Sequence, residues 1–321
     1  AGAARQHRPN ILFIMVDTLR ADHVGCYGYD VPVTPHIDAL AQESTRFARV
    51  LSPSSWTVWS VNALMTSRFP DRLFSPAAEM GVGMGGYGLH TYFPTLAEVL
   101  KDQRYTTHAV ISNPWLVTSP GNAQGYDTYD DAPALDKELA PGADGRALVQ
   151  ACRNTAPRVT QAALKLLDRV GNDRFFLYLL YMDPHEPYFN HPGFTMPDSR
   201  RDALHARLVA AGQTDLAMQR RANLRNYDSE IAYTDHYIGQ LLAELKRRKL
   251  YENTLIVLFS DHGEEFLEHG QFGHMKTVYH EVTSVPLLIK FPHQQAAKVV
   301  TGDFPLFDLT PSLLEYLGIP H

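Results

Sequence analysis

The stretch that most constrains this sequence is the ten-residue run LIVLFSDHGE at positions 255–264. Five consecutive apolar residues without alternation are typical of a parallel strand that is buried on both faces. In open α/β sheets, ligands bind in the crevice at the carboxyl ends of the strands. Asp261 and His262 are therefore predicted to lie at the end of a central strand, where their side chains reach such a crevice.

A second run, NILFIMV at positions 10–16, has the same form and is followed directly by Asp17. Two strands from opposite ends of the chain would each deliver an aspartate at their carboxyl end. Because both aspartates would have to meet in a single crevice, we expect one α/β domain over residues 1–321.

Composition narrows the class of protein. The chain has 321 residues, of which 45% are hydrophobic and 20% charged, as in ordinary globular proteins. A net charge of -6 argues against nucleic acid as the main partner. Two cysteines form no disulfide framework, and no apolar run reaches the roughly 18 residues of a transmembrane segment. Oligomeric state stays open, as does the choice between the cytoplasm and export with a removed signal segment.

The rest of the sequence alternates between strand-like and helix-like segments. This order predicts a mostly parallel sheet with helices on both faces. Further strands are expected at 46–51, 106–112, 175–181 and 286–291, and helices from Thr34 as N-cap, from near Thr57, and at 95–103, 156–170, 226–248 and 308–317. Residues 75–92 are expected to form a surface loop, 118–146 a polar excursion and 190–222 a lid.

Asp17, Asp261 and His262 together offer two carboxylates and an imidazole at strand ends. This set suits a divalent metal, and the imidazole favours Mn²⁺ or Zn²⁺ over Mg²⁺ or Ca²⁺. The alternative is that each aspartate caps the helix that follows it. We expect one metal per chain; a second would need a further set, such as Asp183 with two histidines.

Thr57 precedes a predicted helix, where a hydroxyl serves either as a helix cap or as a nucleophile activated by a metal. The spacing alone leaves both roles open. Asn113 follows the predicted strand 106–112 and so points at the same crevice. Three histidines, His185, His269 and His274, are candidates for holding an anionic substrate or protonating a leaving group.

These motifs resemble the sulfatase-type branch of the alkaline phosphatase superfamily, in the family's order and almost from end to end. The matching stretches lie at 8–22, 34–41, 60–70, 183–188, 260–264, 285–289 and 308–314. The resemblance implies an α/β sandwich with a metal at the strand ends, and in-line attack on phosphorus or sulfur by a nucleophile bound to that metal. It places Asp17, Asp261 and His262 at metal-ligand positions, Thr57 at the nucleophile and metal-binding position, His185 at a substrate-anion position, and His274 where relatives carry an anion-binding lysine.

The departures from the family pattern bear on the substrate. Sulfatases carry a cysteine or serine that matures to formylglycine where this chain has Thr57, and an arginine where it has Val61. Thr18 replaces the usual second aspartate, and Asn113 replaces an expected lysine. The sequence also stops soon after Gly318, short of the family's C-terminal subdomain.

These departures favour a metal-dependent hydrolase of phosphodiesters or phosphonate monoesters, with Thr57 as nucleophile and Asn113, His185 and His274 stabilising charge. The substrate would be a small anionic ester. One alternative is sulfate-ester hydrolysis without formylglycine, and another is transfer of the phosphoryl group to an acceptor alcohol. A rival of another class is an anion-binding pseudoenzyme, in which Trp59 obstructs the pocket.

Overall fold

The computed structural model describes residues 8–73, 89–117, 121–132, 134, 154–171, 173–196 and 202–320. Most of the loop predicted at 75–92 and of the excursion predicted at 118–146 lies outside these ranges. In the part of the chain that is described, no helix combines the length and the hydrophobicity that crossing a membrane requires.

A single large sheet of eight strands forms the centre of the fold. Its strands are β1 (Asn10–Val16), β2 (Thr45–Leu51), β3 (Thr106–Ile111), β4 (Thr128–Asp130), β5 (Phe175–Tyr181), β6 (Thr254–Phe259), β9 (Leu287–Lys290) and β10 (Lys298–Pro305), while β7 (Glu265–Phe266) and β8 (Phe272–Gly273) form a separate hairpin. The order across the large sheet is β10-β2-β9-β6-β1-β5-β3-β4. In this sheet β9 runs antiparallel to both neighbours, and all other neighbouring pairs are parallel.

Helices cover both faces of the sheet. They are α1 (Pro35–Ala41), α2 (Thr57–Thr66), α3 (Leu96–Asp102), α4 (Thr155–Arg169), α5 (Ala203–Ala210), α6 (Thr214–Arg247), α7 (His280–Thr283) and α8 (Leu309–Tyr316). Successive residues of β1 point to opposite faces, so Leu12 packs into a core with α1, α4 and α6, whereas Phe13 packs into a second core with α2, α3 and α8. The predicted sandwich with a mostly parallel sheet is confirmed.

The start of the long helix expected from the sequence is wrong. This helix begins at Thr214 rather than at residue 226, so α5 and the first turns of α6 occupy part of the segment 190–222, whose role as a lid stays a prediction. The first turns of α6 have few apolar residues, and Arg220 takes a buried position by donating from Nε to the carbonyl of Phe266 and pairing with Asp202. A polar sequence therefore forms a helix here because of partners that are distant along the chain.

The N-terminus of α1 lies where the sequence predicts, but its cap differs. The hydroxyl of Thr34 makes no capping hydrogen bond; it accepts from the N–H of Gly25 instead. The carboxylate of Asp235, on α6, accepts from the N–H groups of His36 (3.1 Å) and Ile37 (2.8 Å). A carboxylate from another helix thus satisfies the free donors of this helix end.

Candidate active site

The carboxyl ends of β1 and β6 and the first turn of α2 meet at one edge of the sheet. Because β1 and β6 are adjacent and parallel, Asp17 and the pair Asp261 and His262 emerge side by side. Thr57 is the first residue of α2 and faces the same point. Each of these four residues is at most 1% exposed.

The four side chains are in contact or nearly so. Oγ1 of Thr57 lies 3.1 Å from Nε2 of His262, and the same nitrogen lies 3.4 Å from Oδ2 of Asp261. Ligand atoms of Asp17, Asp261 and His262 all lie within 4.8 Å of one another. The residues assigned from sequence to a metal and a nucleophile therefore converge on one small volume.

Two carboxylate oxygens in this cluster are buried without a hydrogen-bond partner among the described residues, namely Oδ1 of Asp17 and Oδ2 of Asp261. Leaving a carboxylate oxygen buried and unpaired is costly. Burial and the charge of Asp261 raise the pKa of Asp17, against the opposite effects of His262 and Asn113. A divalent cation between these groups would remove both costs, so the donor set fits a divalent metal.

In a second cluster of potential metal ligands, Asp183, His191 and Glu230, the carboxylates already accept hydrogen bonds from the protein. Asp183 accepts from the N–H of Thr155 at 2.9 Å and also from its hydroxyl, at the start of α4. Glu230 accepts from the N–H of Phe189 at 2.8 Å and pairs with His191. These contacts tie α4 and α6 to the segment after β5.

In the third cluster, Glu265, His269 and Glu281, the carboxylates likewise have partners within the protein. Glu265 accepts from the N–H groups of His269 (3.1 Å) and Gln271 (2.9 Å) and from the hydroxyl of Thr277 (3.0 Å). His269 pairs with Glu281. Of the three clusters found in the described residues, the Asp17 cluster alone has buried carboxylate oxygens without a hydrogen-bond partner.

Asn113 reaches the site from the end of β3. Its Nδ2 donates to Oδ2 of Asp17 at 2.7 Å, and its Oδ1 accepts from the N–H of Trp115 at 2.8 Å. The side chain is fully buried. Asn113 therefore holds Asp17 in place, and its predicted role in stabilising charge on the substrate stays a prediction.

His274 and His185 lie on the other side of His262. The ring of His274 is 4.6 Å from that of His262, and the ring of His185 is 4.8 Å from that of His274, measured between centroids. Nδ1 of His274 lies 2.8 Å from Oε1 of Glu264. Burial, reinforced by the charges of His262 and His185, lowers the pKa of His274 well below its usual value.

Backbone contacts fix α2 against the end of β6. The carbonyl oxygen of Asp261 accepts from the hydroxyl of Ser60, on α2, at 2.8 Å and also from the hydroxyl of Ser52. Thr57 is consequently held beside His262 by the same helix that carries Ser60.

Two residues of the site had no role assigned from the sequence. Thr18 has a left-handed backbone (φ 54°), which brings its N–H to 3.3 Å from Oδ1 of Asp261, and its buried hydroxyl has no hydrogen-bond partner among the described residues. Glu264 is fully buried, and burial raises its pKa, against the effects of nearby histidines and the Tyr188 hydroxyl. The sequence could have indicated both residues by their position, because each lies within two residues after a proposed metal ligand.

Comparison with known proteins decides the family. The sulfatase family model matches residues 9–319. This chain belongs to the sulfatase family. The family predicted from the sequence motifs is thereby confirmed, while the closer placement with phosphodiesterases stays a prediction.

Several of the similar proteins are sulfatases. Iduronate 2-sulfatase of Mus musculus is 25% identical, covering 93% of this sulfatase-family chain and 62% of the relative, and an ulvan-active sulfatase of Formosa agariphila is 25% identical, with 96% and 61% covered. The chain thus spans about three fifths of the length of these relatives. A phosphonate monoester hydrolase of Agrobacterium radiobacter has a similar structure, with a TM-score of 0.70 at 19% identity, covering 98% of this chain and 73% of that one. This likeness shows the shared fold.

Proposed function

We propose that this sulfatase-family chain is a metal-dependent hydrolase of small anionic sulfate or phosphate esters, with Thr57 as its nucleophile. The observation that carries this proposal is the buried contact of the Thr57 hydroxyl with His262, beside two buried carboxylate oxygens that have no hydrogen-bond partner among the described residues. Asp17, Asp261, His262 and Thr57 would hold one divalent cation.

When bound there, the cation would lower the pKa of the Thr57 hydroxyl and polarise the ester oxygen. In the first step, Oγ1 of Thr57 bonds to sulfur or phosphorus while the bond to the ester oxygen breaks, and the proton lost by the Thr57 hydroxyl ends on the departing alcohol. In the second step, water bonds to the same centre, and the threonine oxygen leaves with a proton. Asn113 keeps Asp17 oriented through both steps.

The named relatives favour a sulfate ester as the substrate, since the similar proteins with known activity include iduronate and ulvan-active sulfatases. They support the sulfate-ester alternative better than the phosphodiester activity expected from the sequence. Hydrolysis of a sulfate ester here would proceed without formylglycine, because threonine is not a precursor of that residue.

A second candidate is hydrolysis of phosphodiesters or phosphonate monoesters. Thr57 at the nucleophile position favours it, because an unmodified hydroxyl that forms a covalent ester suits phosphoryl transfer. Transfer of the phosphoryl group to an acceptor alcohol would differ from hydrolysis only in the second step, in which the alcohol takes the place of water. The pseudoenzyme alternative rests on Trp59, which is 38% exposed and has its ring 5.7 Å from that of Trp56.

A substrate panel tests these candidates. Metal-loaded protein and its Thr57→Ala variant would be compared on an aryl sulfate, an aryl phosphate monoester, a bis-aryl phosphodiester and an aryl phosphonate monoester. Turnover that is lost in the variant supports the proposal, and the preferred ester identifies the substrate class. Faster product formation with added alcohols would favour the transferase, and metal binding without turnover would favour the pseudoenzyme.

A further inference from the structure

Glu264 contacts His274, one of the histidines of the candidate active site. It follows the Asp261-His262-Gly263 turn, and its side chain is fully buried. Oε1 lies 2.8 Å from Nδ1 of His274, whose ring packs against His262 at 4.6 Å. The buried carboxylate of Glu264 therefore contacts His274, and the ring of His274 packs against His262, the residue that contacts Thr57.

The β7–β8 hairpin and the side chain of Arg20 hold Glu264 and His274 in place. Glu264 precedes β7 and His274 follows β8, so the two-stranded hairpin brings residues ten positions apart together. Arg20 fixes the first of them, because its Nη1 donates to the carbonyl oxygen of Glu264 at 2.9 Å and to Oε1 of Glu268 at 2.7 Å. The geometry of the pair is therefore held by both the hairpin and the segment after β1.

We propose that Glu264 is a positioning residue that keeps the proton of His274 on Nδ1. Oε1 of Glu264 lies 2.8 Å from Nδ1, and a carboxylate oxygen that accepts a hydrogen bond there selects the tautomer in which Nδ1 carries the hydrogen and Nε2 carries a lone pair. The carboxylate behind a catalytic histidine has this orienting effect in hydrolytic triads. His274 would then present an acceptor to the site, whereas a lysine at the same place presents donors.

The consequence concerns the second step of the proposed function, on which this inference rests. The ring of His274 packs against His262, which contacts the Thr57 hydroxyl, so an acceptor nitrogen on this ring can orient the water that attacks the covalent Thr57 ester. Nε2 of His274 accepts a hydrogen bond from that water while its oxygen bonds to sulfur or phosphorus. The bond to Oγ1 of Thr57 breaks, and Oγ1 takes up the proton that the water loses. Glu264 acts on this step through His274 alone.

Kinetics of Glu264→Gln provide the first test. A glutamine amide can donate to Nδ1 and so stabilise the opposite tautomer. We expect kcat to fall about 10- to 100-fold, the size of loss found when a hydrogen-bond partner behind a ligating histidine is removed. KM should fall by a similar factor, leaving kcat/KM nearly unchanged, because the first step is intact and the covalent Thr57 ester accumulates. Loss of kcat/KM without accumulation would overturn the proposed role.

Glu265→Gln is the matched control. Glu265 is the next residue, is equally buried, and accepts from backbone N–H groups rather than from a histidine of the site. This variant should keep the wild-type kcat and the wild-type KM, without accumulation of the covalent ester. A similar accumulation of the covalent ester in Glu265→Gln would show that any disturbance of the hairpin slows the second step, and would contradict a specific role for Glu264.

A spectroscopic measurement on the wild-type protein separates this inference from the proposed function. Proteins labelled with ¹⁵N-histidine, with His274 assigned from His274→Gln, should show His274 protonated on Nδ1 and unprotonated on Nε2. Wild-type protein with the proton on Nε2 overturns the inference, even if Thr57-dependent turnover is present. A correct tautomer without turnover on any ester would instead overturn the proposed function, and the catalytic role of the pair with it.

Discussion

The side-chain amide of Asn113, at the end of β3, donates a 2.7 Å hydrogen bond to Oδ2 of Asp17, at the end of β1. β5 lies between these two strands in the sheet. The other oxygen of Asp17, Oδ1, is buried without a hydrogen-bond partner among the described residues and is therefore available to a metal. Second-layer contacts of this kind orient ligands and are part of a metal site's affinity.

Removing this contact should weaken metal binding. We expect Asn113→Ala to lower the affinity for Mn²⁺ or Zn²⁺ about 10- to 100-fold, because Asp17 loses its orientation. Isothermal titration calorimetry on metal-free protein measures the change. Asn122→Ala, which removes an amide that donates to the carbonyl of Val117, is the control and should bind metal as the wild type does. Equal affinity in all three proteins would contradict the assignment.

The two buried carboxylate oxygens without a hydrogen-bond partner among the described residues predict an unusual effect on stability. In metal-free protein, Asp17→Asn should raise the free energy of unfolding by about 1–2 kcal/mol, because it removes a buried charge that faces Asp261. The same variant should lose most of its metal affinity. Thermal unfolding with and without a chelator measures both effects.

Asp228→Asn supplies the contrast for this experiment. Asp228 is also buried, but its carboxylate pairs with His23 at 2.8 Å and accepts from the hydroxyl of Tyr29 at 2.7 Å. Neutralising it should therefore destabilise the protein. If Asp17→Asn destabilised the metal-free protein as Asp228→Asn does, the Asp17 site would be an ordinary hydrogen-bonded network.

The turn between His262 and Glu264 requires glycine. A Cβ on Gly263 would lie 2.1 Å from the backbone oxygen of Glu281. Since a backbone atom cannot yield as a flexible side chain does, we expect Gly263→Ala to cost about 1–3 kcal/mol of stability. Gly302→Ala, where a Cβ meets nothing within 4 Å, should be close to neutral in the same denaturant titration. A neutral Gly263→Ala would show that α7 moves away freely.

The cap on α1 is testable by stability alone. Asp235→Ala should lower the free energy of unfolding by about 1–2 kcal/mol, since it frees the N–H groups of His36 and Ile37. Asp168→Ala removes an exposed carboxylate that pairs with Arg248, and its effect should stay below about 1 kcal/mol. Equal effects of the two variants would mean that solvent caps the helix equally well.

Local signals explain what the sequence could predict. Asp17, Asp261 and His262 follow continuous apolar runs, and such runs form the buried parallel strands β1 and β6. Strand adjacency then places their carboxyl ends together. Thr57 could be placed near the site for a similar reason, because a loop between a strand and a helix precedes it.

Elements without a local signal were missed. β10 is mostly exposed and has no apolar pattern, so its pairing with β2 could not be expected. The first turns of α6 depend on the buried Arg220, and the cap of α1 depends on Asp235, about two hundred positions away. The Glu264–His274 pair likewise exists only because the β7–β8 hairpin brings the two residues together.

The most direct test of the account is to look for the covalent ester on Thr57. Metal-loaded protein would be quenched during turnover of its preferred aryl ester, and its peptides would be analysed by mass spectrometry. We predict one sulfo or phospho group on the peptide that contains Thr57, absent from Thr57→Ala, which should also lose turnover. Full turnover in Thr57→Ala, with no modified peptide in either protein, would contradict the assignment of Thr57 as the nucleophile.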